Sequence, residues 1–432
     1  MKKLIPVLYS LLLTQATRAQ ENMHPAPAQQ LTTAIINAVV HVGNGQVIEN
    51  GMVLFSNGKI IDVRTTEPIA DIKMIDAKGK HLYPGLIASS TNLGLVEVNS
   101  VRSTLDYQEL GDINPNIQSI YAYNTDSKVI NTLRTNGILL AGIVPDGGTI
   151  SGASSVVQLD AWNWEDAAYK TNNGIHMNMP LISNRPNAFR RGNSSAEELI
   201  KQGLEKVENV RRFFREAKAY HAQPVHSAIN LKYEAVKGLF NQSQTLFIHC
   251  DLVKEMLMAV DVAREFNFKL AIVGGTDSWI IADILQQNNV AVVLVEPHSQ
   301  PSTEEDGVDQ PYSNGARLQQ AGVLFTICDD SGQGFWRQRN LPFQAGTMAA
   351  YGLTKEQALA SITLNAAKIL GIDHLTGSLE KGKDANMVIS EGDILDMKTS
   401  KVTHAFIQGR EIDLGNKQTQ LFEKYKYKYG IK

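Results

Sequence analysis

Cysteine is nearly absent from this sequence, since Cys250 and Cys328 are the only two among 432 residues. This excludes a disulfide framework of the kind that holds small secreted domains together, so the fold must depend on its hydrophobic core. The two thiols could form one bridge, and the sequence leaves that open. With 43% apolar residues, the chain has ample material for a large core.

Long hydrophobic runs and an excess of one charge are also missing. Beyond the first twenty residues, no apolar run approaches the roughly eighteen residues that a membrane-spanning helix needs. The net charge of -3 favours neither nucleic-acid binding nor strong attraction to membranes. We therefore expect no nucleic-acid partner, and no membrane association once the N-terminal segment has been removed.

The N-terminal segment has the pattern of a secretory signal. Lys2 and Lys3 precede a short apolar run, and Ala19 offers a small residue at the cleavage position. An uncleaved membrane anchor is the alternative. The pattern predicts a signal peptide over residues 1–19, a disordered leader rich in Pro, Ala and Gln over residues 20–30, and a periplasmic or secreted mature chain.

After the N-terminal segment, the predicted pattern of secondary structure changes once along the chain. Short strands and turns fill residues 31–83, where Asn57-Gly58 is a strong hairpin signal. From residue 84 to about 372, apolar strands alternate with helices, which indicates a parallel sheet and suits a barrel. The glycine- and serine-rich segment Ser151–Ser155 predicts a tight loop, with an anion-binding cradle as the alternative.

Two motifs resemble those of a known family. The run Pro84-Gly85-Leu86-Ile87, with polar residues following as far as Asn92, resembles the first barrel strand of the amidohydrolase superfamily, in its imidazolonepropionase-like branch. The run GSLEKGKDAN from Gly377 resembles the strand by which that family re-enters its small domain. The resemblance implies a TIM-like (β/α)8 barrel over residues 84–372. It also implies a small β-sandwich domain built from both chain ends, residues 31–83 and 373–420, followed by a basic tail over residues 421–432.

The resemblance also implies a metal site that is incomplete here. Amidohydrolases hold one or two divalent ions with two histidines on the first strand, histidines on the fifth and sixth strands, and an aspartate on the last. The first-strand positions are Ser90 and Asn92, and Gly274-Gly275 stands where the sixth-strand histidine would be. Serine and asparagine are poor ligands for zinc.

Two ligand positions of the family are retained. His249 matches the fifth-strand histidine, and Asp330 matches the last-strand aspartate, which binds metal and acts as the catalytic general base. A hydrogen-bonded barrel histidine is the alternative for His249, and Asp329 is the alternative to Asp330 if the register slips by one. His298 could supply a third ligand or could be an exposed loop histidine. Lys232 is the lysine nearest to the expected fourth strand.

The resemblance therefore implies an exported hydrolase of non-peptide C–N bonds, amide or cyclic amide, in a small-molecule substrate that the sequence does not identify. One divalent metal such as zinc would occupy the reduced site, or none if the site is degenerate. A catalytically silent barrel that binds a small molecule or a partner is the alternative, and metal-free chemistry through Asp330 is a third. A homo-oligomer, or a hetero-oligomer with an active paralogue, is compatible with the resemblance.

Overall fold

The structure, a computed structural model, describes residues 24–67, 72–182, 196–301, 303, 305–329 and 334–431. The predicted signal peptide, residues 1–19, lies outside this part of the chain. Among the residues that the structure describes, no helix is both long enough and apolar enough to cross a bilayer.

The strands are β1 (Thr33–His41), β2 (Val47–Ser56), β3 (Lys59–Thr65), β4 (Lys73–Asp76), β5 (His81–Pro84), β6 (Leu86–Thr91), β7 (Ile138–Ile143), β8 (Ile150–Gln158), β9 (Ala168–Asn178), β10 (Thr245–Cys250), β11 (Leu270–Gly274), β12 (Ala291–Val295), β13 (Phe325–Cys328), β14 (Met387–Ser390), β15 (Val402–Ile407) and β16 (Arg410–Glu411). The helices are α1 (Lys128–Arg134), α2 (Trp164–Ala167), α3 (Ala196–His221), α4 (Leu231–Ala235), α5 (Lys237–Phe240), α6 (Val253–Phe266), α7 (Ala282–Gln287), α8 (Gln310–Gln320), α9 (Gly334–Arg337), α10 (Leu341–Ala350), α11 (Lys355–Ser361), α12 (Leu364–Leu370) and α13 (Lys417–Tyr429).

The small domain is a sheet built from both ends of the chain. Its strands run in the order β16-β15-β14-β5-β1-β2-β3, and β4 pairs with β1. Strand β14 joins the N-terminal half by pairing antiparallel with β5, where Met387 lies opposite Pro84. The sheet surrounds its own core, in which the rings of Phe55 and Phe406 meet edge to face at 5.6 Å. The prediction of a small β domain from both chain ends is confirmed.

The hairpin predicted at Asn57-Gly58 joins β2 to β3. Both residues have positive φ, 50° and 77°, which is the backbone that a two-residue turn of this kind requires. Asparagine and glycine tolerate that region better than other residues. The local sequence therefore fixes the register of this hairpin.

The large domain is a second eight-stranded sheet, in the order β13-β12-β11-β10-β9-β8-β7-β6. Strands β6 and β13, at its two ends, approach each other, and Thr326 Oγ1 on β13 lies 3.5 Å from Ser89 Oγ on β6. The sheet is thus a nearly closed barrel, as predicted. Buried apolar side chains fill it and the layer between it and the helices.

One barrel strand departs from the parallel pattern. Strand β8 runs antiparallel to both β7 and β9, while the other neighbouring pairs are parallel. The prediction of a loop over Ser151–Ser155 is wrong, because these residues lie inside β8 and are buried. Gly152 has a φ of 146° at a point where the register of the β8–β9 pairing shifts.

The segment predicted as a disordered leader is partly held in place. Residues 24–30 have no regular secondary structure, but Ala26 N donates to Asp160 Oδ2 at 2.9 Å and Arg410 Nη1 donates to Ala26 O at 3.0 Å. Residues 20–23 lie outside the described part of the chain. At the other end, the predicted basic tail forms helix α13.

Candidate functional site

Two histidines meet at the C-terminal ends of neighbouring barrel strands. His176 on β9 lies directly opposite Phe247 on β10, and His249 follows two residues later, so both imidazoles are on one side of the sheet. His176 Nδ1 lies 2.9 Å from His249 Nε2, and the ring of His176 stacks on Phe247 at 4.7 Å. His176 is fully buried, whereas His249 is partly exposed. His249 is therefore the ring that a ligand at the mouth can reach.

The surroundings of both rings favour the neutral form of histidine. Burial lowers the pKa of His176 well below its ordinary value, and the neighbouring His249 lowers it further. Burial also lowers the pKa of His249, and the carboxylates of Asp146 and Asp251 oppose that change. A direct bond between two imidazoles requires one ring to donate and the other to accept, so this hydrogen bond fixes complementary tautomers.

The two carboxylates near His249 are held by the loops at the mouth. Asp251 Oδ1 accepts a hydrogen bond from Thr276 Oγ1 at 2.6 Å. Asn178, directly opposite His249 in the β9–β10 register, donates from Nδ2 to Gly148 O at 3.0 Å and lies 3.4 Å from Asp146 Oδ1. The mouth therefore combines a neutral histidine pair with acceptor groups on both sides.

The first-strand positions carry neutral side chains. Ser90 is buried, and its carbonyl oxygen accepts a hydrogen bond from Gln338 Nε2 at 2.8 Å. Asn92 follows the end of β6, and its Oδ1 is buried without accepting a hydrogen bond from any residue that the structure describes. Neither position offers a nitrogen ligand comparable to histidine.

The end of the sixth barrel strand has no room for a side chain. Gly274 has a φ of 103°, and a Cβ atom built on it would lie 2.7 Å from Asp251 Oδ1 and 2.9 Å from Cys250 O. Val273 occupies the register position beside His249. The two strands therefore contribute one histidine to the mouth instead of two.

The last barrel strand ends in an acidic pair of which one member can be placed. Asp330 lies outside the described residues. Asp329 is fully buried, accepts a hydrogen bond from Gln344 Nε2 at 2.7 Å, and lies 3.4 Å from Arg337 Nε. Burial raises the pKa of Asp329, and Arg337 opposes this. Its partners belong to α9 and α10, so Asp329 connects the strand to the helices.

Two further residues considered from the sequence form hydrogen bonds with residues other than the histidine pair. His298 is exposed, and its Nε2 lies 2.6 Å from Thr347 Oγ1 on α10. Lys232 lies in α4 and not on a barrel strand, and its Nζ donates to Ile113 O at 2.6 Å. Cys250 and Cys328 are both buried, and they do not form the disulfide bridge that the sequence left open.

The match to known proteins covers both domains. The family model of the amidohydrolase family matches residues 206–412. The imidazolonepropionase of Streptococcus sanguinis is 25% identical over 376 residues, covering 81% of this chain and 86% of that protein. That of Geobacillus kaustophilus is 26% identical over 375 residues, covering 79% and 84%. A solved amidohydrolase from Thermotoga maritima has a TM-score of 0.76 at 24% identity, covering 88% of this chain and 99% of that one.

The chain belongs to the amidohydrolase superfamily. Within it the chain is imidazolonepropionase-like, as the relatives show. The predicted resemblance is confirmed.

Amidohydrolases bind metal at this end of the barrel, but the described residues of this amidohydrolase do not fit such an ion. In the described ranges, no group of three or more His, Cys, Asp and Glu side chains is arranged to hold a metal. Nε2 of His249 is directed at His176 and not into a shared ligand sphere. Zinc sites in proteins have at least three protein ligands, and Ser90 and Asn92 do not supply the missing nitrogens.

His176 is the residue of this amidohydrolase site that sequence reasoning missed. The fourth barrel strand was not located, because the middle of the chain matches the family loosely and α3 separates β9 from β10 along the sequence. A signal was present: Ile175-His176 repeats the Ile248-His249 pair of the next strand within a similar apolar run. Two histidines in equivalent positions on neighbouring parallel strands end at the same edge of a sheet.

Proposed function

We propose that this amidohydrolase hydrolyses non-peptide C–N bonds, in linear or cyclic amides of small molecules, at the mouth of its barrel. Family membership and the imidazolonepropionase relatives support a hydrolase of C–N bonds. The observation that carries the proposal for this site is the hydrogen-bonded pair of His176 and His249, with the nearby carboxylates of Asp146 and Asp251.

The reaction needs a group that first accepts a proton from water and then donates a proton to the leaving nitrogen. Water adds to the amide carbonyl as its proton leaves, and the C–N bond breaks as the nitrogen takes a proton up. A neutral imidazole that is partly exposed can do both. His249 fits that role because its ring reaches the mouth, and His176 is its positioning residue. Overall, one water is consumed: its oxygen forms the new C–O bond to the carbonyl carbon, the C–N bond breaks, and a proton of the water ends on the released nitrogen.

The reduced metal site predicted from His249 and Asp330 stays a prediction, since Asp330 lies outside the described residues. Elemental mass spectrometry of the purified protein would decide it. About one divalent ion per chain, lost in His249→Ala, would support the reduced site. No metal after incubation with zinc, manganese and nickel would rule it out.

Substitution of His249 tests the proposed function. In a screen of linear and cyclic amides, we expect His249→Asn to lower kcat by at least about 100-fold, the usual contribution of a general acid–base group. The matched control is His298→Asn, an exposed histidine bonded to Thr347, which should leave kcat unchanged. Asp330→Asn should likewise abolish turnover if that residue is the catalytic carboxylate, with the fold intact by circular dichroism. Full turnover in His249→Asn would remove His249 from the reaction.

A second function has its own support. The family resemblance implies that Ser90, Asn92 and Gly274 replace metal-binding histidines, which favours a barrel that binds a small molecule or a partner without chemistry. A ligand that raises Tm and is recovered unchanged after prolonged incubation would favour this function. Turnover that depends on His249 would exclude it.

We also propose that the protein works outside the cytoplasm, in the periplasm or after secretion. The sequence pattern of residues 1–19 supports this. Cell fractionation with sequencing of the mature N-terminus would test it, and an unprocessed cytoplasmic protein would contradict it. A homo-oligomer or a hetero-oligomer with a paralogue stays a prediction.

A further inference from the structure

The C-terminal helix α13 is attached to the barrel at its start. Asn416 caps it in a capping box with Thr419, and Asn416 Nδ2 donates to Thr135 Oγ1 at 3.2 Å. Thr132 Oγ1 donates to Gln418 Oε1 at 3.3 Å. None of the described residues from Lys417 to Tyr429 is buried, so the helix presents its side chains to the surroundings.

Most of the large apolar side chains of α13 share one face. At about 100° per residue, Leu421, Phe422, Tyr425 and Tyr429 fall within an arc of about 100°. Their exposed fractions are 37%, 64%, 48% and 64%. The rings of Tyr425 and Tyr429 stack at 6.3 Å, which confirms that they lie on the same side. We call these four residues the aromatic face.

Lysines line both edges of the aromatic face. Lys424 and Lys428 fall on one side of the arc and Lys426 on the other. Lys428 Nζ lies 5.1 Å from the ring centre of Tyr429 and 5.9 Å from that of Tyr425, as expected for a lysine at the edge of this face.

The charge of α13 is opposite to that of the chain. Four lysines and Glu423 give the helix a net charge of 4 − 1 = +3, while the whole chain carries -3. The lysines of the helix are Lys417, Lys424, Lys426 and Lys428. Positive charge is therefore concentrated on a helix that also presents an exposed aromatic face.

We propose that the aromatic face binds the surface of an anionic lipid bilayer, with α13 lying in the plane of the interface. Leucine and phenylalanine enter the boundary between head groups and acyl chains, and tyrosine hydroxyls remain at head-group level. The edge lysines extend to the phosphates on both sides. An anionic bilayer supplies negative charge opposite the helix, whose net charge is +3. Unlike a protein partner, it does not need a groove of complementary shape. The helix is about 20 Å long and lies on the bilayer without crossing it.

This inference revises the expectation that the mature chain has no membrane association, which rested on net charge and on the lack of long apolar runs. Both remain true of the whole sequence. Surface binding depends instead on how charge and aromatic residues are distributed over thirteen residues of one helix.

Vesicle co-sedimentation of the full mature chain tests the proposal. We expect binding to phosphatidylcholine vesicles that contain phosphatidylglycerol and little binding to phosphatidylcholine alone. Raising the salt concentration should weaken binding, because exposed charges are screened. Replacing the two lysines of one edge, Lys424→Glu and Lys428→Glu, should lower the partition coefficient at least tenfold.

The helix contains its own matched control. Phe422→Ser with Tyr425→Ser removes two residues of the aromatic face and should lower partitioning at least tenfold. Tyr427 is 91% exposed on the opposite face, so Tyr427→Ser should leave partitioning unchanged. In the same way, tryptophan fluorescence should shift to the blue on vesicle addition for Phe422→Trp and not for Tyr427→Trp.

Several results would overturn the proposal. Equal loss in Tyr427→Ser and in the aromatic-face variant would show that the face is not the contact. Failure of the wild-type chain to bind anionic vesicles would exclude lipid as the ligand of the aromatic face and would favour a protein partner. A dimer in analytical ultracentrifugation without lipid, lost in Phe422→Ser with Tyr425→Ser, would assign the face to a second copy of the chain.

Discussion

Two histidines that share a hydrogen bond respond to acid together. His176 and His249 both have pKa values below that of a free histidine, chiefly because burial disfavours the charged ring. Below about pH 6.5, therefore, these histidines bind protons in the unfolded chain but not in the folded chain. Their contribution to stability is complete above that pH and is lost as the pH falls. The pKa values of His81 and His298 are also lowered, so these two histidines likewise reduce the stability of the folded chain as the pH falls.

We predict that the free energy of unfolding falls between pH 6.5 and 5. A histidine that stays neutral in the folded state contributes a slope of about 1.4 kcal/mol per pH unit in this range. His176→Asn should reduce the slope by about that amount, measured by urea unfolding at each pH. An equal slope in wild type and His176→Asn would contradict the prediction.

The residue scale is also where the sequence was least informative. His249 could be assigned from one strand and one family motif. Its partner could not, because hydrogen bonds between strands depend on register, and β9 was hidden in a stretch that matches the family loosely. Asp329 shows the same limit: alternation along β13 decides whether it meets the helices or the mouth, and a shift of one residue reverses the answer.

At the scale of single elements, the ends of barrel strands are shaped by backbone as much as by side chains. Gly274 ends β11 with a positive φ and leaves space that Asp251 and the Cys250 carbonyl occupy. That packing holds Asp251 close enough to influence His249. The glycine is thus a structural requirement of the mouth.

We predict that Gly274→Ala destabilises the protein more than Gly45→Ala. Both positions have nearly the same positive φ, 103° and 101°, so the cost of that φ for alanine is similar at the two. Only at Gly274 does the new methyl group meet atoms closer than 3 Å, while nothing lies within 4 Å at Gly45. The difference should be about 1–3 kcal/mol in chemical unfolding. Equal effects would show that the loops yield to the methyl group.

Elements with strong local signals were predictable. The Asn57-Gly58 hairpin forms as predicted, and the Thr-x-x-Gln pattern of Thr354 and Gln357 forms a capping box before α11. The sequence predicts a loop over Ser151–Ser155, the first part of β8, because glycine and serine have low strand propensity. Burial between β7 and β9 outweighs that propensity, and a single sequence carries no local sign of it.

At the scale of the whole molecule, one buried ion cluster connects three parts of the chain. Asp160 follows β8 and accepts hydrogen bonds from Arg134 Nη1 at 2.5 Å, Arg410 Nη1 at 2.9 Å and Ala26 N at 2.9 Å. Arg134 ends α1 of the barrel, Arg410 belongs to β16 of the small domain, and Ala26 precedes β1. Burial lowers the pKa of Arg134, and Asp160 opposes that change.

We predict that Asp160→Asn costs about 3–5 kcal/mol of stability, because it leaves two arginines without their shared carboxylate in a buried place. The matched control is Glu391→Gln, which makes the same chemical change in an exposed pair with Lys401 and should cost less than about 1 kcal/mol. Urea unfolding of both variants would measure this. Similar small effects in the two would show that water reaches the cluster.

The arrangement of domains was predictable because the family motifs lie at both chain ends, whereas the ion cluster was not. No spacing pattern in the sequence indicates that Arg134, Asp160 and Arg410 are in contact. Considered singly, each would be predicted to be a charged residue at the surface. Their meeting depends on how the barrel and the small domain pack, which follows from tertiary structure alone.

The pairing of β5 with β14 has a consequence for the order of folding. Pro84 and Met387 are neighbours in space but are synthesised about three hundred residues apart. While the ribosome makes the barrel, β5 keeps an open edge that a strand of another nascent chain could join. Contacts between such distant residues form slowly. The nascent chain is therefore vulnerable to aggregation until its final fifty residues emerge from the ribosome. A protein shortened before Met387 should accumulate as inclusion bodies.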